Sequence, residues 1–170
     1  ELHMLDYTAA GLADLGKPAG YAERQVVGWS KRYERAHTDD APGFGATMRW
    51  LADNLPAESG RASLIHNDFK MDNVVWDADE PMRLIGVLDW EMARLGDPVQ
   101  DLAWWLASDR CFSEGLELAR LPGFPGKDET IARWEQSTGR EAASFDYYTI
   151  LALTRFSMNM ARVGQYMKKI

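Results

Sequence analysis

The chain has 170 residues, of which 46% are hydrophobic and 26% charged, and its formal net charge is -7. This length and composition predict one soluble globular domain with a sizeable core, spanning residues 1–170. The acidic balance argues against a nucleic-acid surface, and no apolar run approaches the roughly 18 residues of a membrane span. The single cysteine, Cys111, excludes an internal disulfide and fits a reducing compartment, so a cytoplasmic location is predicted.

Two helices are predicted in the first third of the chain. From Tyr21 to about His37, apolar residues recur at helical spacing among charged ones. A second helix is predicted from Ala46 to Asn54, before Pro56 ends the pattern. The side chains expected to point inward from this second helix are Met48, Trp50, Leu51 and Leu55.

The middle of the chain alternates short apolar runs with polar loops. Ser63–Ile65 is predicted to be a strand, and VVW and RLIGVL, separated by the turn-forming DADEPM, predict a hairpin. The loop between the strand Ser63–Ile65 and the hairpin contains His66, Asp68 and Asn73 in the spacing H-x-D-x-x-x-x-N. Asp89 then follows the second hairpin strand.

These side chains are typical of phosphoryl transfer from a nucleotide. Asp68 is the predicted general base, which orients and deprotonates the attacking hydroxyl of a substrate. Asn73 and Asp89 are predicted to hold Mg²⁺ against the phosphates of ATP, since this ion takes hard oxygen ligands and keeps part of its water. The alternative for Asp68 and Asn73 is an ordinary turn residue that bonds to its own backbone.

Three more helices are predicted after the hairpin. Asp97 is expected to cap a helix from Val99 to Ser108, with Gln100 completing a capping box, and through this cap to support the central loop. A short helix is predicted from Asp128 to Ser137, and a long one from Ser144 to Lys168. The apolar stripe expected to face inward from the last helix consists of Ile150, Leu153, Phe156, Met160 and Val163.

Four motifs, HNDFKMDN, LDWE, LGDP and DLAWWLA, occur in this order, with YAERQVVGWSKRYERA upstream. Together they resemble the carboxyl-terminal lobe of the aminoglycoside phosphotransferase and choline kinase family, nearest the branch fused to acyl-CoA dehydrogenases. The resemblance covers nearly the whole chain. It implies an α+β, mostly helical lobe of a protein-kinase-like fold, with a small β hairpin beside the catalytic loop.

The resemblance also implies a smaller amino-terminal lobe that clamps the nucleotide. Its glycine-rich cover and strand lysine have no counterpart here, because neither a G-x-G-x-x-G nor a V-A-I-K-like string occurs in the sequence. The chain is therefore expected to be a fragment that is inactive alone and whose partner is the missing lobe.

Further roles follow from the resemblance. Lys70 occupies the place where many protein kinases carry a lysine beside the transferred phosphate, which implies a catalytic role; a solvated surface lysine is the alternative. His66 is implied to shape the loop through hydrogen bonds, and Asp101 to accept backbone N–H bonds from it. Asn67 stands where aminoglycoside enzymes usually have glycine. FKMD replaces their H-P-x-x-like run, which argues against antibiotic substrates. The resemblance to the branch fused to acyl-CoA dehydrogenases implies instead a small hydroxylated metabolite, such as a hydroxy-acyl derivative.

The predicted function is thus an ATP- and Mg²⁺-dependent phosphotransferase acting on a hydroxyl of a small molecule. One alternative is a degenerate kinase-like module that holds a nucleotide or a partner without transfer. Another is a metal-dependent phosphoesterase, which would need a second ion and more ligands than the sequence offers. The residues available to that phosphoesterase are His66, Asp68, Asp72 and Asp89.

Overall fold

The structure, a computed structural model, describes residues 2–36, 43–58, 60–80, 82–120 and 122–168. Within these ranges the chain forms five α-helices and four short strands, joined by short 3₁₀ and π turns. In chain order the elements are α1 (Tyr21–Ala36), α2 (Gly45–Asp53), β1 (Ser63–Ile65), β2 (Val74–Trp76), β3 (Leu84–Val87), β4 (Arg94–Gly96), α3 (Val99–Arg110), α4 (Lys127–Thr138) and α5 (Phe145–Met167).

The strands form two separate antiparallel pairs that frame the central loop. β1 pairs with β4, with Ser63 opposite Gly96. β2 pairs with β3, with Val74 opposite Val87 and an irregularity after Val75. All three side chains of β1 are buried, so the residue that follows Ile65 emerges from the interior of the molecule. This arrangement places the loop from His66 to Asn73 between the two sheets.

Helix α3 lies at the centre of the molecule and packs most extensively against α5. Nine of its residues are buried, because it packs against α5 and α4, shares a core cluster with α1 and α2, and binds the central loop near its amino-terminal end. Burial of apolar side chains from α1, α2, α3 and α5 is the main stabilising contribution to such a core. The main cluster consists of Val26, Trp29, Met48, Leu51, Val99, Leu102, Ala103, Leu106, Phe145, Tyr147, Tyr148 and Leu151.

The predicted fold class is confirmed, and the predicted elements form close to the expected positions. The strand Ser63–Ile65 and the hairpin are found, and α2, α4 and α5 each begin and end within one residue of the predicted bounds. α3 continues two residues beyond Ser108. The predicted end of the first helix at His37 lies outside the described residues. None of the described helices has the length and apolar character needed to cross a bilayer.

Two packing predictions for α2 and α3 were wrong. Trp50 and Leu55 were expected inside but are 42% and 38% exposed, because α2 enters the core through Met48 and Leu51 and ends at Asp53, before Leu55. The side chain of Gln100 does not complete a capping box. It is buried and donates hydrogen bonds to the side chains of Tyr21 and Asn67 instead.

The predicted stripe on α5 was partly wrong. Ile150, Leu153 and Phe156 are partly buried, but Met160 and Val163 are 47% and 51% exposed. The ring of Phe156 already lies 6.4 Å from that of Phe112, which follows the end of α3, so the next turns of α5 run beyond that helix. The side chains that α5 does bury are Phe145, Tyr147, Tyr148, Leu151, Ala152, Thr154 and Arg155.

Candidate active site

The central loop begins with a fully buried histidine. His66 has 0% exposure, and its ring lies 4.7 Å from the ring of Trp90. Its Nε2 lies 2.8 Å from the backbone carbonyl of Leu88, and its Nδ1 lies 3.3 Å from the backbone nitrogen of Asp68. Because a carbonyl only accepts and a backbone N–H only donates, the ring hydrogen is on Nε2. His66 thus joins the loop to the segment that follows β3.

Asp68, Lys70 and Asn73 are in direct contact. The Nζ atom of Lys70 lies 3.0 Å from Oδ2 of Asp68, and both side chains are partly exposed. Asn73 is buried; its Nδ2 donates to the backbone carbonyl of Asp68 at 2.9 Å and approaches Oδ2 at 3.3 Å. The loop is therefore closed upon itself, with the carboxylate of Asp68 held between an ammonium and an amide.

Asp89 is linked to this group through the neighbouring backbone. The N–H of Leu88 donates to the carbonyl of Asn73 at 2.8 Å, so Asp89 directly follows a residue bonded to both ends of the loop. Asp89 has a left-handed backbone, with φ 63°, and an exposed side chain. Its carboxylate makes no hydrogen bond or ion pair with other described residues.

Asp101 lies beneath the loop in the first turn of α3. Its Oδ2 and Oδ1 accept the backbone N–H groups of His66 and Asn67, each at 2.7 Å. A carboxylate that accepts two N–H bonds on a buried loop fixes the path of the backbone there. His3 also contacts Asp101, at 3.2 Å, and accepts a hydrogen bond from Trp134, so the amino-terminal segment packs under the loop as well.

Asp97 supports the start of α3. Its Oδ1 accepts the N–H of Val99, the first residue of α3, at 3.0 Å. It also borders a cavity of about 390 Å³ between the start of α1 and the segment before β1. Burial, and then the nearby carboxylate of Asp97, raise the pKa of Tyr148 in the same cavity. None of Asp68, Lys70, Asn73 and Asp89 lines this cavity.

Sequence reasoning missed the residues that hold Asn67. This side chain is 3% exposed and has a positive φ of 66°. Its Oδ1 accepts from Tyr21 and Gln100, its Nδ2 donates to the carbonyl of Met92, and its own carbonyl accepts from Arg155. Burial raises the pKa of the Tyr21 hydroxyl and lowers that of Arg155. The available signal was an arginine four residues after Leu151, a spacing that puts both side chains on the same face of α5.

Among the described residues, the candidate metal ligands of the site do not belong to a larger cluster. No group of three or more His, Cys, Asp and Glu side chains able to hold an ion occurs in the described part of the chain. The phosphoesterase alternative, which needs such a group for its two ions, gains no support. The predicted pair Asn73 and Asp89 supplies one amide and one carboxylate, a set that suits Mg²⁺ when phosphates and water complete its shell.

Comparison with known proteins decides the family. The phosphotransferase enzyme family, APH, matches residues 1–143. The chain belongs to this family. A candidate aminoglycoside phosphotransferase from Ralstonia eutropha has a similar structure, with a TM-score of 0.79 and 30% identity over 96% of this chain and 53% of that one. The resemblance inferred from the motifs is thereby confirmed, including the kinase-like lobe.

The relatives are acyl-CoA dehydrogenase family members that carry this domain. Acyl-CoA dehydrogenase family member 11 from Homo sapiens is 33% identical over 98% of this chain, and the Arabidopsis thaliana protein called probable acyl-CoA dehydrogenase IBR3 is 31% identical over 91%. The chain spans only 22% and 21% of the length of these two proteins.

Proposed function

We propose that the protein transfers the γ-phosphoryl group of ATP to a hydroxyl of a small molecule, with Mg²⁺ as cofactor. Membership of the phosphotransferase family supports phosphoryl transfer in general. The observation that carries the specific proposal is the contact of Asn73 with both the carbonyl and the carboxylate of Asp68. It holds an amide beside a partly exposed acid, as this chemistry requires.

Asp68 is the proposed base. Its carboxylate is fixed on a loop whose backbone is bonded on both sides, so little reorganisation is needed when a hydroxyl arrives. As the substrate oxygen bonds to phosphorus and the bond to ADP breaks, the hydroxyl proton passes to Asp68. Lys70, 3.0 Å from the same carboxylate, is placed to offset charge on the transferred group.

Asn73 and Asp89 are the proposed ligands of the cation. The Nδ2 of Asn73 is committed to the carbonyl of Asp68, which leaves the side-chain oxygen as the ligand atom. The carboxylate of Asp89 is exposed and makes no bond with described residues, so it is available for coordination. When bound, Mg²⁺ supplies charge neutralisation for the phosphate oxygens.

The remaining parts of the proposal concern the rest of the protein. The glycine-rich cover and the nucleotide-pairing lysine are absent from these 170 residues, so a second lobe would have to supply them and the isolated chain would be inactive. The relatives are named as acyl-CoA dehydrogenases, which favours a hydroxy-acyl derivative over an aminoglycoside as acceptor. The cytoplasmic location stays a prediction.

ATP-dependent phosphorylation by the full-length protein tests the proposal, using a panel of hydroxy-acyl compounds, small alcohols and aminoglycosides. Asp68→Ala is expected to lower kcat by about 10²- to 10⁴-fold, as loss of a general base does. Asp89→Ala is expected to raise the Mg²⁺ concentration needed for half-maximal turnover. Asp79→Ala, on the exposed turn of the hairpin, is the matched control and should behave as wild type. Nucleotide binding without product on any acceptor would instead support the non-catalytic module.

A further inference from the structure

The peptide bond that leads into Asp68 is fixed at both ends. Its carbonyl, from Asn67, accepts a hydrogen bond from Nη2 of Arg155 at 3.3 Å. Its N–H, from Asp68, points to Nδ1 of His66 at 3.3 Å. Because a peptide unit is planar, holding both groups fixes the position of the Asp68 Cα atom. The bond from Nδ2 of Asn73 to the carbonyl of Asp68 holds the next peptide unit, so the two anchored peptides together set the direction in which the Asp68 side chain leaves the backbone.

Opposite buried charges lie on the two sides of Asn67. The carboxylate of Asp101, 5% exposed, accepts the N–H of Asn67 at 2.7 Å. The guanidinium of Arg155, 3% exposed, donates to its carbonyl. The negative carboxylate stabilises the partly positive N–H group of Asn67, and the positive guanidinium stabilises its partly negative carbonyl oxygen. The backbone of Asn67 is therefore held in one orientation by α3 and α5 together.

Arg155 is costly to bury, and its contacts do not offset that cost fully. Its Nε and Nη1 have no hydrogen-bond partner in the described part of the chain. The guanidinium carbon lies 4.8 Å from the ring of Trp104 and 5.7 Å from that of Trp29, which provides cation–π stabilisation. Burial lowers the pKa of Arg155, in line with an unfavourable site for a cation. Since apolar residues of similar volume often replace buried charged groups without loss of stability, packing alone does not explain an arginine here.

Asn67 has a conformation that few residues tolerate. Its φ of 66° lies in the left-handed region, which glycine and asparagine adopt most readily. Glycine would permit this angle but would lose three side-chain bonds. These are the bonds from Tyr21 and Gln100 to Oδ1, and the bond from Nδ2 to the carbonyl of Met92. The side chain thus ties the loop to α1, to α3 and to the turn after Asp89.

We propose that Arg155 and Asn67 are positioning residues for Asp68, fixing the peptide from which its carboxylate projects toward the substrate hydroxyl. The proposal rests on the proposed function, in which Asp68 is the base. Arg155 acts through the carbonyl of Asn67, and the Asn67 side chain keeps that residue in its left-handed conformation. Neither residue contacts the reacting atoms. Their effect is on the geometry of proton transfer, where displacement of about 1 Å can cost about 100-fold in rate.

Steady-state kinetics of the full-length protein test this with Arg155→Met, which keeps the packing volume but removes the charge and the donor. We expect kcat to fall by about 10- to 100-fold while the KM for ATP stays within about twofold, since only the transition state requires the aligned carboxylate. Arg155→Lys keeps the charge and should recover part of kcat. Arg162→Met, on an exposed position of the same helix, is the control and should match wild type.

The experiments distinguish the positioning role of Arg155 and Asn67 from the phosphotransferase function on which it depends. Lost turnover in Asp68→Ala, together with wild-type kcat in a folded Arg155→Met protein, would overturn the positioning role and leave the phosphotransferase intact. Turnover retained in Asp68→Ala would overturn both. If Arg155→Met does not fold, Asn67→Gly decides, because it keeps the left-handed backbone and removes the side-chain bonds. A reduced kcat with an unchanged KM for ATP in Asn67→Gly supports the positioning role, and a wild-type kcat in that variant rejects it.

Discussion

The Nε2 atom of His66 donates a hydrogen bond to the backbone carbonyl of Leu88 across 2.8 Å. The two residues are separated by the whole hairpin, yet this bond makes the histidine the bridge between the proposed base and the proposed cation ligand. Asp68 lies two residues after the histidine and Asp89 one residue after the leucine. A change at His66 should therefore affect both sides of the site.

His66→Phe is expected to destabilise the fold. The substitution fills the space but leaves the carbonyl of Leu88 and the N–H of Asp68 without their partner, at about 0.5–1.5 kcal/mol for each of these partly buried bonds. Urea unfolding followed by tryptophan fluorescence measures the change. His66→Gln, which offers a polar atom to one of the two groups, should lose less. Equal stability of His66→Phe and wild type would show that these bonds contribute nothing.

Two glycine substitutions should have opposite effects on stability. A Cβ at Gly96 would lie 2.8 Å from Cδ1 of Ile65 and 2.9 Å from Cδ1 of Tyr21. Gly96→Ala must push β4 away from α1, and we expect a loss of about 1–3 kcal/mol. A Cβ at Gly164, in α5, meets no described atom within 4 Å, so Gly164→Ala should stabilise the helix by about 0.5–1 kcal/mol. Thermal unfolding of the two variants tests both signs, and a fall in Tm for Gly164→Ala would contradict the second.

Stability should fall in strong alkali because of Tyr147. Its hydroxyl donates to the carbonyl of Leu51 at 3.1 Å, and burial raises its pKa from 10.0 to about 12. The folded protein therefore keeps this proton at pH values where the unfolded chain releases it. Its contribution is fully present below pH 10.0 and is lost as pH rises toward about 12. Urea unfolding at a series of pH values should show a shallower decline for Tyr147→Phe, and parallel curves would refute the assignment.

The elements were predictable because their signals are local. Pro56 and Gly139 mark where helices end, and Gly139 adopts the positive φ of 64° that closes α4. The strand before His66 and the turn of the hairpin are equally short-range patterns. Loop contacts such as the bond from Asn73 to Asp68 span only five residues, so the spacing of the motif already contains them.

The support of the loop by Asp101 was anticipated through the family resemblance. The side-chain bonds that hold Asn67 were not predictable, because they join distant parts of the chain. The bond from Arg155 to Asn67 spans 88 residues, and that from Tyr21 to Asn67 spans 46. Helical periodicity predicts which face of α5 is apolar. It does not predict which helix packs against that face or where that helix ends. Gln100 is a second example. The sequence predicted that its side chain would complete a capping box, but the side chain donates a hydrogen bond to Tyr21 of α1 instead.

The burial of α5 gives a last test, using two apolar positions on one helix. Leu151 is 0% exposed in the core with α1, α2 and α3, whereas Met160, two and a half turns later, is 47% exposed. Leu151→Ala removes buried methyl groups and should cost about 2–5 kcal/mol. Met160→Ala removes a side chain with little to pack against, so its effect should stay within about 0.5 kcal/mol. Urea unfolding of the 170-residue chain compares them directly. Similar losses of unfolding free energy in the two variants would mean that the end of α5 is buried. The predicted inward stripe, including Met160, would then be correct.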